Sequence, residues 1–152
     1  MTTATRPQTS IETIEIVKTI DIAAPIEIAF EAMLEELGPA AELMDGKPMP
    51  FKLEAWPGGR WYRDLGDGVG HLWGHVQVIK PPTLLEIYGP LMMSYPATNH
   101  VQYRFTTEGS GTRLMFAHRG MGLILQEHRE GMPQGWAQWA DKIRQRAERK
   151  SK

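Results

Sequence analysis

A β-rich middle and a tryptophan-bearing amphipathic segment at the C-terminus have to be interpreted together, because each offers an apolar surface to the other. The middle runs from Lys52 to His118 and is divided by turns rich in Pro and Gly. The C-terminal apolar residues recur at helical spacing and form one stripe: Trp136, Trp139, Ala140, Ile143 and Ala147. A single helix with such a stripe needs a surface to cover, and the sheet is the only large one. If the sheet curves, the space between its inner face and the helix can become a pocket.

The length and composition of the chain are those of one domain with one core. Its 152 residues are 41% hydrophobic, and we expect a single domain over residues 11–149 after a flexible tail at residues 1–10. The absence of cysteine excludes disulfides and thiolate chemistry. The polar N-terminus lacks the apolar stretch of a signal peptide, and no apolar run approaches the ~20 residues that cross a bilayer. We therefore expect a cytoplasmic protein without membrane insertion.

The charge distribution does not favour nucleic acid as a partner. The formal net charge is −1, so the chain has no overall basic field. Basic residues gather at the C-terminus, but Asp141 and Glu148 are interspersed among them. This pattern is typical of the solvated last turn of a helix, where cations interact favourably with the helix dipole. The sequence does not decide between a monomer and a homodimer.

Ahead of the β-rich middle, the sequence predicts one strand and one or two short helices. Ile11–Ile22 alternates β-branched and polar residues, which indicates a strand. Pro25 suits the first turn of a helix, and apolar residues repeat with helical period from Ile26 to Leu37 before Gly38-Pro39 ends the pattern. Ala40–Met44 is predicted to add one helical turn.

Six strands and a second helix are predicted in the rest of the chain. The strands are predicted at Lys52–Trp56, Arg60–Leu65, Gly70–Lys80, Leu84–Tyr88, Val101–Thr107 and Thr112–His118. Gly120–Gly135 is interpreted as a long connection, and the final helix is predicted from about Pro133 to Arg149. This order of elements favours an α+β fold, in which an antiparallel sheet carries its helices on one side.

Six short motifs stand in a characteristic order along the chain. They are Ile20-Asp21-Ile22-Ala23-Ala24-Pro25 with Ala29-Phe30, Pro57-Gly58-Gly59-Arg60-Trp61, Gly74-x-Val76 before Pro81-Pro82, Gly111-Thr112-Arg113-Leu114, His118-Arg119-Gly120, and Gly135-Trp136. In this order they resemble the helix-grip SRPBCC superfamily (START, polyketide cyclase and Bet v-like proteins), and within it the activator of heat-shock protein 90 ATPase homologue-like family. The resemblance implies a curved antiparallel sheet wrapped around a long C-terminal helix.

Among the histidines, His118 is the candidate for a polar group in the interior. It alternates with Leu114 and Phe116 and therefore shares their apolar face. It could anchor or activate a ligand, but a core histidine satisfied by a backbone carbonyl is the favoured interpretation. His71 and His75 lie on a predicted strand, where four residues span about 13 Å, so this pair alone cannot hold one metal ion.

Aromatic residues concentrate in the sheet and the last helix, and with their neighbours they are the predicted lining of a ligand cavity. The candidates are Trp61, Tyr103, Phe105, Leu114, Phe116, His118, Trp136 and Trp139. Such a lining suits an apolar ligand, although the same side chains could simply fill the core. The family resemblance favours the pocket. Glu127, His128 and Glu130 could form a site at its rim, but no nucleophile can be assigned to them.

The predicted function is the binding of a small hydrophobic molecule, with no cofactor and no metal. The chain has no nucleophile elbow and no phosphate-binding glycine loop, so the sequence does not show an enzyme. Two alternatives stay open. One is an enzyme of cyclase, aromatase or hydratase type that uses the same cavity, with His118 as its candidate group. The other is a module that interacts with a chaperone, which would need an exposed complementary patch.

Overall fold

The computed structural model describes residues 10–152, so the tail predicted at residues 1–10 lies, apart from Ser10, outside the described residues. Within this part of the chain there are seven strands and two helices. The strands are β1 (Glu12–Ile22), β2 (Lys52–Leu53), β3 (Arg60–Gly66), β4 (Val69–Lys80), β5 (Leu84–Gly89), β6 (Ala97–Glu108) and β7 (Gly111–Gly122). The helices are α1 (Ile26–Leu37) and α2 (Gln126–Lys150).

All seven strands form one antiparallel sheet in the order β1-β7-β6-β5-β4-β3-β2. The first strand reaches its place beside β7 because its β-branched residues pair along the whole of that strand, from Glu12 opposite Gly122 to Ile22 opposite Thr112. Alternate residues of the strands point to the core, which both helices cover. The predicted α+β helix-grip fold is confirmed.

The first helix ends where two tryptophans bind its last carbonyl groups. Its buried residues, among them Phe30 and Met33, recur at helical spacing. At its C-terminal end, Trp139 Nε1 donates to the Glu36 carbonyl oxygen (2.7 Å) and Trp61 Nε1 donates to that of Leu37 (2.7 Å). Carbonyl groups at a helix end have no partner within the helix, so these bonds satisfy acceptors that would otherwise be buried unpaired.

The second helix packs its apolar stripe against α1 and the sheet. Its buried residues are Met132, Trp136, Ala140, Ile143 and Ala147. On the side that faces α1, Arg146 Nε donates to Glu36 Oε2 (2.6 Å), and a second nitrogen of the same guanidinium pairs with Glu35 (2.9 Å). Neither helix of the described residues is long and apolar enough to span a membrane.

The start of α2 differs from the prediction by about two turns. The helix begins at Gln126, so the predicted long connection Gly120–Gly135 is wrong, and β7 extends to Gly122. Pro133, a residue that is favoured in a first helical turn, here lies inside the helix. Burial of Met132 just before the proline explains why the helix continues through this position.

Two further boundaries also differ from the sequence prediction. Ala40–Met44 is not helical: its backbone turns back on itself, with the N–H of Leu43 donating to the Lys47 carbonyl and Glu42 bridging to Pro48. Only one short helix therefore follows β1. The strand predicted at Lys52–Trp56 stops at Leu53, because the N–H of Glu54 closes the turn by donating to the Arg60 carbonyl.

Candidate functional site

A cavity of about 260 Å³ lies between the first half of α2 and the loop that joins α1 to β2. Its apolar walls are three tryptophans and four methionines: Trp73, Trp136, Trp139, Met44, Met49, Met92 and Met132. Polar side chains contribute at its rim: Glu42, Glu127, His128, Gln138 and Lys142. A space of this size exceeds what a single water needs by far and approaches the lower end of small-molecule sites, about 300 Å³.

The tryptophan wall of the cavity is rigid and has no free N–H among the described residues. Trp136 and Trp139 stack at 5.6 Å with an interplanar angle of 16°, and Trp139 continues into Trp61 at 5.7 Å. The indole N–H of Trp73 donates to His71 Nδ1 (3.2 Å), and those of Trp136 and Trp139 are bonded to His118 and the Glu36 carbonyl. These rings therefore offer only apolar contact to anything in the cavity.

The methionine wall is built differently: three of its four flexible side chains come from irregular segments, and Met132 comes from α2. Met44 and Met49 come from the α1–β2 loop, and Met92 comes from the segment between β5 and β6. Met44 is 58% exposed, and its neighbour Leu43 is 42% exposed. Because methionine is unbranched and polarizable, such a wall can adapt its shape to an apolar guest.

Two polar contacts fasten the α1–β2 loop to α2 across the cavity. Lys142 Nζ donates to Glu42 Oε1 (2.6 Å), and Gln138 Nε2 donates to the Met44 carbonyl (3.0 Å). Both bonds join residues about one hundred positions apart in the chain, so they hold the loop against the helix. They also give Lys142 Nζ and Gln138 Nε2 one partner each within the protein.

At the rim, Tyr95 and His128 form a hydrogen-bonded pair. Their rings stack at 5.6 Å with an interplanar angle of 22°, and the tyrosine oxygen lies 2.8 Å from His128 Nδ1. The same oxygen accepts a hydrogen bond from the backbone N–H of Leu125 (3.3 Å), the residue before α2. Burial raises the pKa of Tyr95, so its hydroxyl keeps its proton.

His118 is fully buried in the interior, as its alternation with Leu114 and Phe116 predicts. Its Nδ1 accepts from Trp136 Nε1 (3.0 Å), so Nε2 carries the proton and donates to Asn99 Oδ1 (2.7 Å). Its bonding partners are therefore two side chains and not the expected backbone carbonyl. Burial lowers the pKa of His118 to about 4. The neutral ring is saturated with hydrogen bonds and has no atom left for a ligand.

Asn99 connects this histidine to the loop that carries Met92. Its side chain is only 3% exposed, and its Nδ2 donates to the carbonyl oxygens of Gly89 (3.1 Å) and Pro90 (3.4 Å). Gly120 leaves the room for this amide: a Cβ at that position would lie 2.2 Å from Asn99 Oδ1. The polar interior is therefore a structural support for the wall of the cavity.

The structure brings two of the eight sequence-predicted cavity residues to the lining. Trp136 and Trp139 line the cavity. The other six are buried in the packed core instead: Trp61, Tyr103, Phe105, Leu114, Phe116 and His118. Tyr103 and Phe116, for example, contact each other edge to face at 5.0 Å, and Phe116 packs on Trp136 at 4.9 Å. These rings fill the space under α2, so the cavity lies toward the beginning of that helix.

Sequence reasoning missed the methionines, which form much of the lining; Trp73, one of the aromatic residues concentrated in the sheet, also lines the cavity. The chain has nine methionines, a high number for its length, and four of them meet at this cavity. That abundance in loop segments was the available signal. Of the three residues predicted at the rim, Glu127 and His128 line the cavity and Glu130 does not. Among residues 10–152, no group of three or more side chains could hold a metal ion.

The comparison with protein families decides the affiliation of the chain. Residues 23–148 match the family described as activator of Hsp90 ATPase homolog 1-like protein. The chain belongs to this family. The match extends from the end of β1 through nearly all of α2, and the family is part of the SRPBCC superfamily, so the resemblance found in the sequence is confirmed. No curated protein matches the chain.

Solved structures with the same fold come from several bacteria. An uncharacterised protein of Rhizobium leguminosarum aligns with a TM-score of 0.71 at 22% identity, over 92% of this chain and 97% of that one. CalU16 from Micromonospora echinospora aligns with a TM-score of 0.60 at 18% identity, over 91% and 82% of the two chains. DynU16, a protein of the dynemicin biosynthetic locus, aligns with a TM-score of 0.61 at 15% identity, over 86% and 46%. These likenesses show the shared fold.

Proposed function

We propose that this family member binds a small, mainly apolar molecule in the cavity at the beginning of α2. The observation that carries the proposal is the construction of the cavity: a fixed tryptophan wall faces an adaptable methionine wall across about 260 Å³. Apolar lining with a few polar groups at the rim is typical of small-molecule sites. A guest that covers the exposed part of Leu43 and Met44 would also remove apolar surface from water.

The surroundings of the cavity favour binding over catalysis as its role. His118, the candidate for a catalytic group, has both ring nitrogens bonded inside the protein. The occurrence of a structural relative, DynU16, in a biosynthetic locus supports a small-molecule guest for the fold at large. No exposed feature of the described residues specifically favours a chaperone partner over this function.

One glycine of α2 provides a direct test of where a guest binds. Gly135 lines the cavity, and a Cβ added there would meet nothing within 4 Å. Gly135→Leu should therefore fill the space, while leucine favours the helix by nearly 1 kcal/mol relative to glycine. The matched control is Ala137→Leu, which adds the same side chain to the same helix at an exposed position.

The probe is isopropylbenzene, an uncharged single-ring hydrocarbon, titrated into the full chain and followed by NMR chemical shifts. We expect saturable shifts around Trp136 and Trp139 in the wild type and in Ala137→Leu. In Gly135→Leu the affinity should fall by at least about tenfold, the effect of blocking a few contacts. Equal affinity in all three proteins, or no saturable binding to the wild type, would contradict the proposed function.

A further inference from the structure

In the pair formed by Tyr95 and His128, the histidine Nε2 has no hydrogen-bond partner among residues 10–152. His128 is half-buried and lines the cavity, whereas Tyr95 does not. Since Nδ1 is bonded to Tyr95, Nε2 on the opposite edge of the ring is the nitrogen left to bind a ligand. No group within residues 10–152 makes a hydrogen bond with that Nε2. The other basic side chain at the cavity, Lys142, is already paired with Glu42.

The hydrogen bonds of Tyr95 favour a proton on Nε2 of His128. The tyrosine oxygen accepts from the Leu125 N–H, and its own proton can then be donated to Nδ1 of His128 at 2.8 Å. A neutral imidazole that accepts at Nδ1 must carry its hydrogen on Nε2. A protonated imidazole carries a hydrogen there as well. With Nδ1 accepting from Tyr95, and equally when the ring is protonated, His128 is a donor at Nε2.

We propose that His128, oriented by Tyr95, binds an oxygen acceptor of the ligand, so that the cavity takes an apolar molecule bearing a carbonyl group at one end. This inference rests on the proposed function and specifies its ligand class. His128 lies near the beginning of α2, whereas the tryptophan wall offers no N–H to a ligand. The guest should therefore bind with its oxygen toward the beginning of α2 and its hydrocarbon part against the tryptophans. Tyr95 acts as a positioning residue, because it reaches the ligand only through His128.

The decisive experiment compares two probes of nearly equal shape. Acetophenone carries a carbonyl oxygen where isopropylbenzene carries a methyl group. Both are titrated into the wild type, His128→Phe and the control His75→Phe, whose histidine lies on β4 outside the cavity. His128→Phe keeps a flat ring against Tyr95 and removes the donor. We expect acetophenone affinity to fall by roughly threefold to tenfold in this variant, as for the loss of one hydrogen bond.

The affinity of isopropylbenzene should stay within about twofold in His128→Phe, and neither probe should distinguish His75→Phe from the wild type. Equal losses for both probes would show that His128 only shapes the cavity and would overturn the inference. Unchanged affinity for acetophenone would overturn it as well, while leaving the proposed function intact. Absence of binding of both probes to the wild type would instead refute the proposed function itself.

The role of Tyr95 has a separate readout that does not depend on ligand affinity. In the wild type, nitrogen-15 NMR of the His128 ring should show the tautomer protonated at Nε2. In Tyr95→Phe the hydroxyl is lost, so we expect a mixture of both tautomers and a smaller loss of acetophenone affinity than in His128→Phe. A ring that keeps the Nε2 tautomer without the hydroxyl would overturn the positioning role.

Discussion

Replacing His118 by glutamine should remove a large part of the acid sensitivity of this domain. The buried imidazole has a pKa of about 4 in the folded state, against an ordinary value of 6.5. An unfolded chain exposes the ring and restores the ordinary value. Between these two pKa values the unfolded state binds a proton that the folded state excludes, so the stability falls as the pH falls.

The magnitude follows from the difference between the two pKa values. Each pKa unit corresponds to about 1.4 kcal/mol of unfolding free energy. Above the ordinary pKa of about 6.5, His118 is neutral in both states and no unfolding free energy is lost through its protonation. Lowering the pH from about 7.5 to about 4.5 should remove about 2.5 kcal/mol of unfolding free energy through this one residue. Such a loss is substantial for a domain whose total stability is expected to be about 5–15 kcal/mol.

Urea unfolding of the wild type and His118→Gln at the two pH values isolates the effect, because carboxylates titrate alike in both proteins and cancel. We expect the variant to be less stable by about 1 kcal/mol at the higher pH, since its amide replaces the hydrogen bonds imperfectly. Its further loss on acidification should be smaller than that of the wild type by about 2.5 kcal/mol. Equal pH dependence of the two proteins would refute the reasoning, as would an NMR titration that gives His118 its ordinary pKa.

Two other predictions concern the packing around this histidine. Trp136→Ala removes a side chain that is 3% exposed, together with its hydrogen bond to His118. We expect the free energy of unfolding in urea to fall by about 3–5 kcal/mol. A fall of less than about 1 kcal/mol would contradict the place of Trp136 in the core. Gly120→Ala forces a Cβ against Asn99 and should lower the free energy of unfolding by about 1–3 kcal/mol in the same assay. Its control, Gly135→Ala, meets no neighbouring atom and should be neutral or slightly stabilising, so equal effects of both alanines would contradict the steric reason.

The architecture could be predicted because hydrophobic periodicity is a local property of the chain. The alternation in Ile11–Ile22 and the helical period in Ile26–Leu37 reproduce β1 and α1 within a residue. The ends of strands and helices that depend on tertiary contacts were predicted less well. The start of β6 at Ala97 is stabilised by pairing with Gly122, and β6 has no strong strand signal there. The first turns of α2 contain Gly131 and Pro133, whose low intrinsic helix propensity hides a helix that tertiary packing stabilises.

The interior histidine shows how far sequence reasoning about the site could go. A period of two places His118 on the apolar face, and this expectation is confirmed. Its partners are set by tertiary structure: Asn99 lies on the neighbouring strand β6, and Trp136 lies on α2. The cavity was harder to predict, because the α1–β2 loop that forms one wall has no periodicity. Its conformation depends on contacts with α2, such as that between Gln138 and the Met44 carbonyl.

The position of the cavity couples ligand binding to the stability of the whole domain. Trp136 packs against Phe116 in the core and also lines the cavity, so a guest contacts a side chain on which the fold depends. A probe that binds only the folded state should raise the unfolding free energy, by about 2.7 kcal/mol at one hundred times its dissociation constant.

Gly135→Leu should reproduce part of this gain without any probe, because burial of a leucine side chain contributes about 1.5–3 kcal/mol. It should then show almost no further increase when isopropylbenzene is added. A variant that is stabilised by the probe as much as the wild type would place the guest elsewhere, and one destabilised without the probe would show that the space cannot accept a side chain.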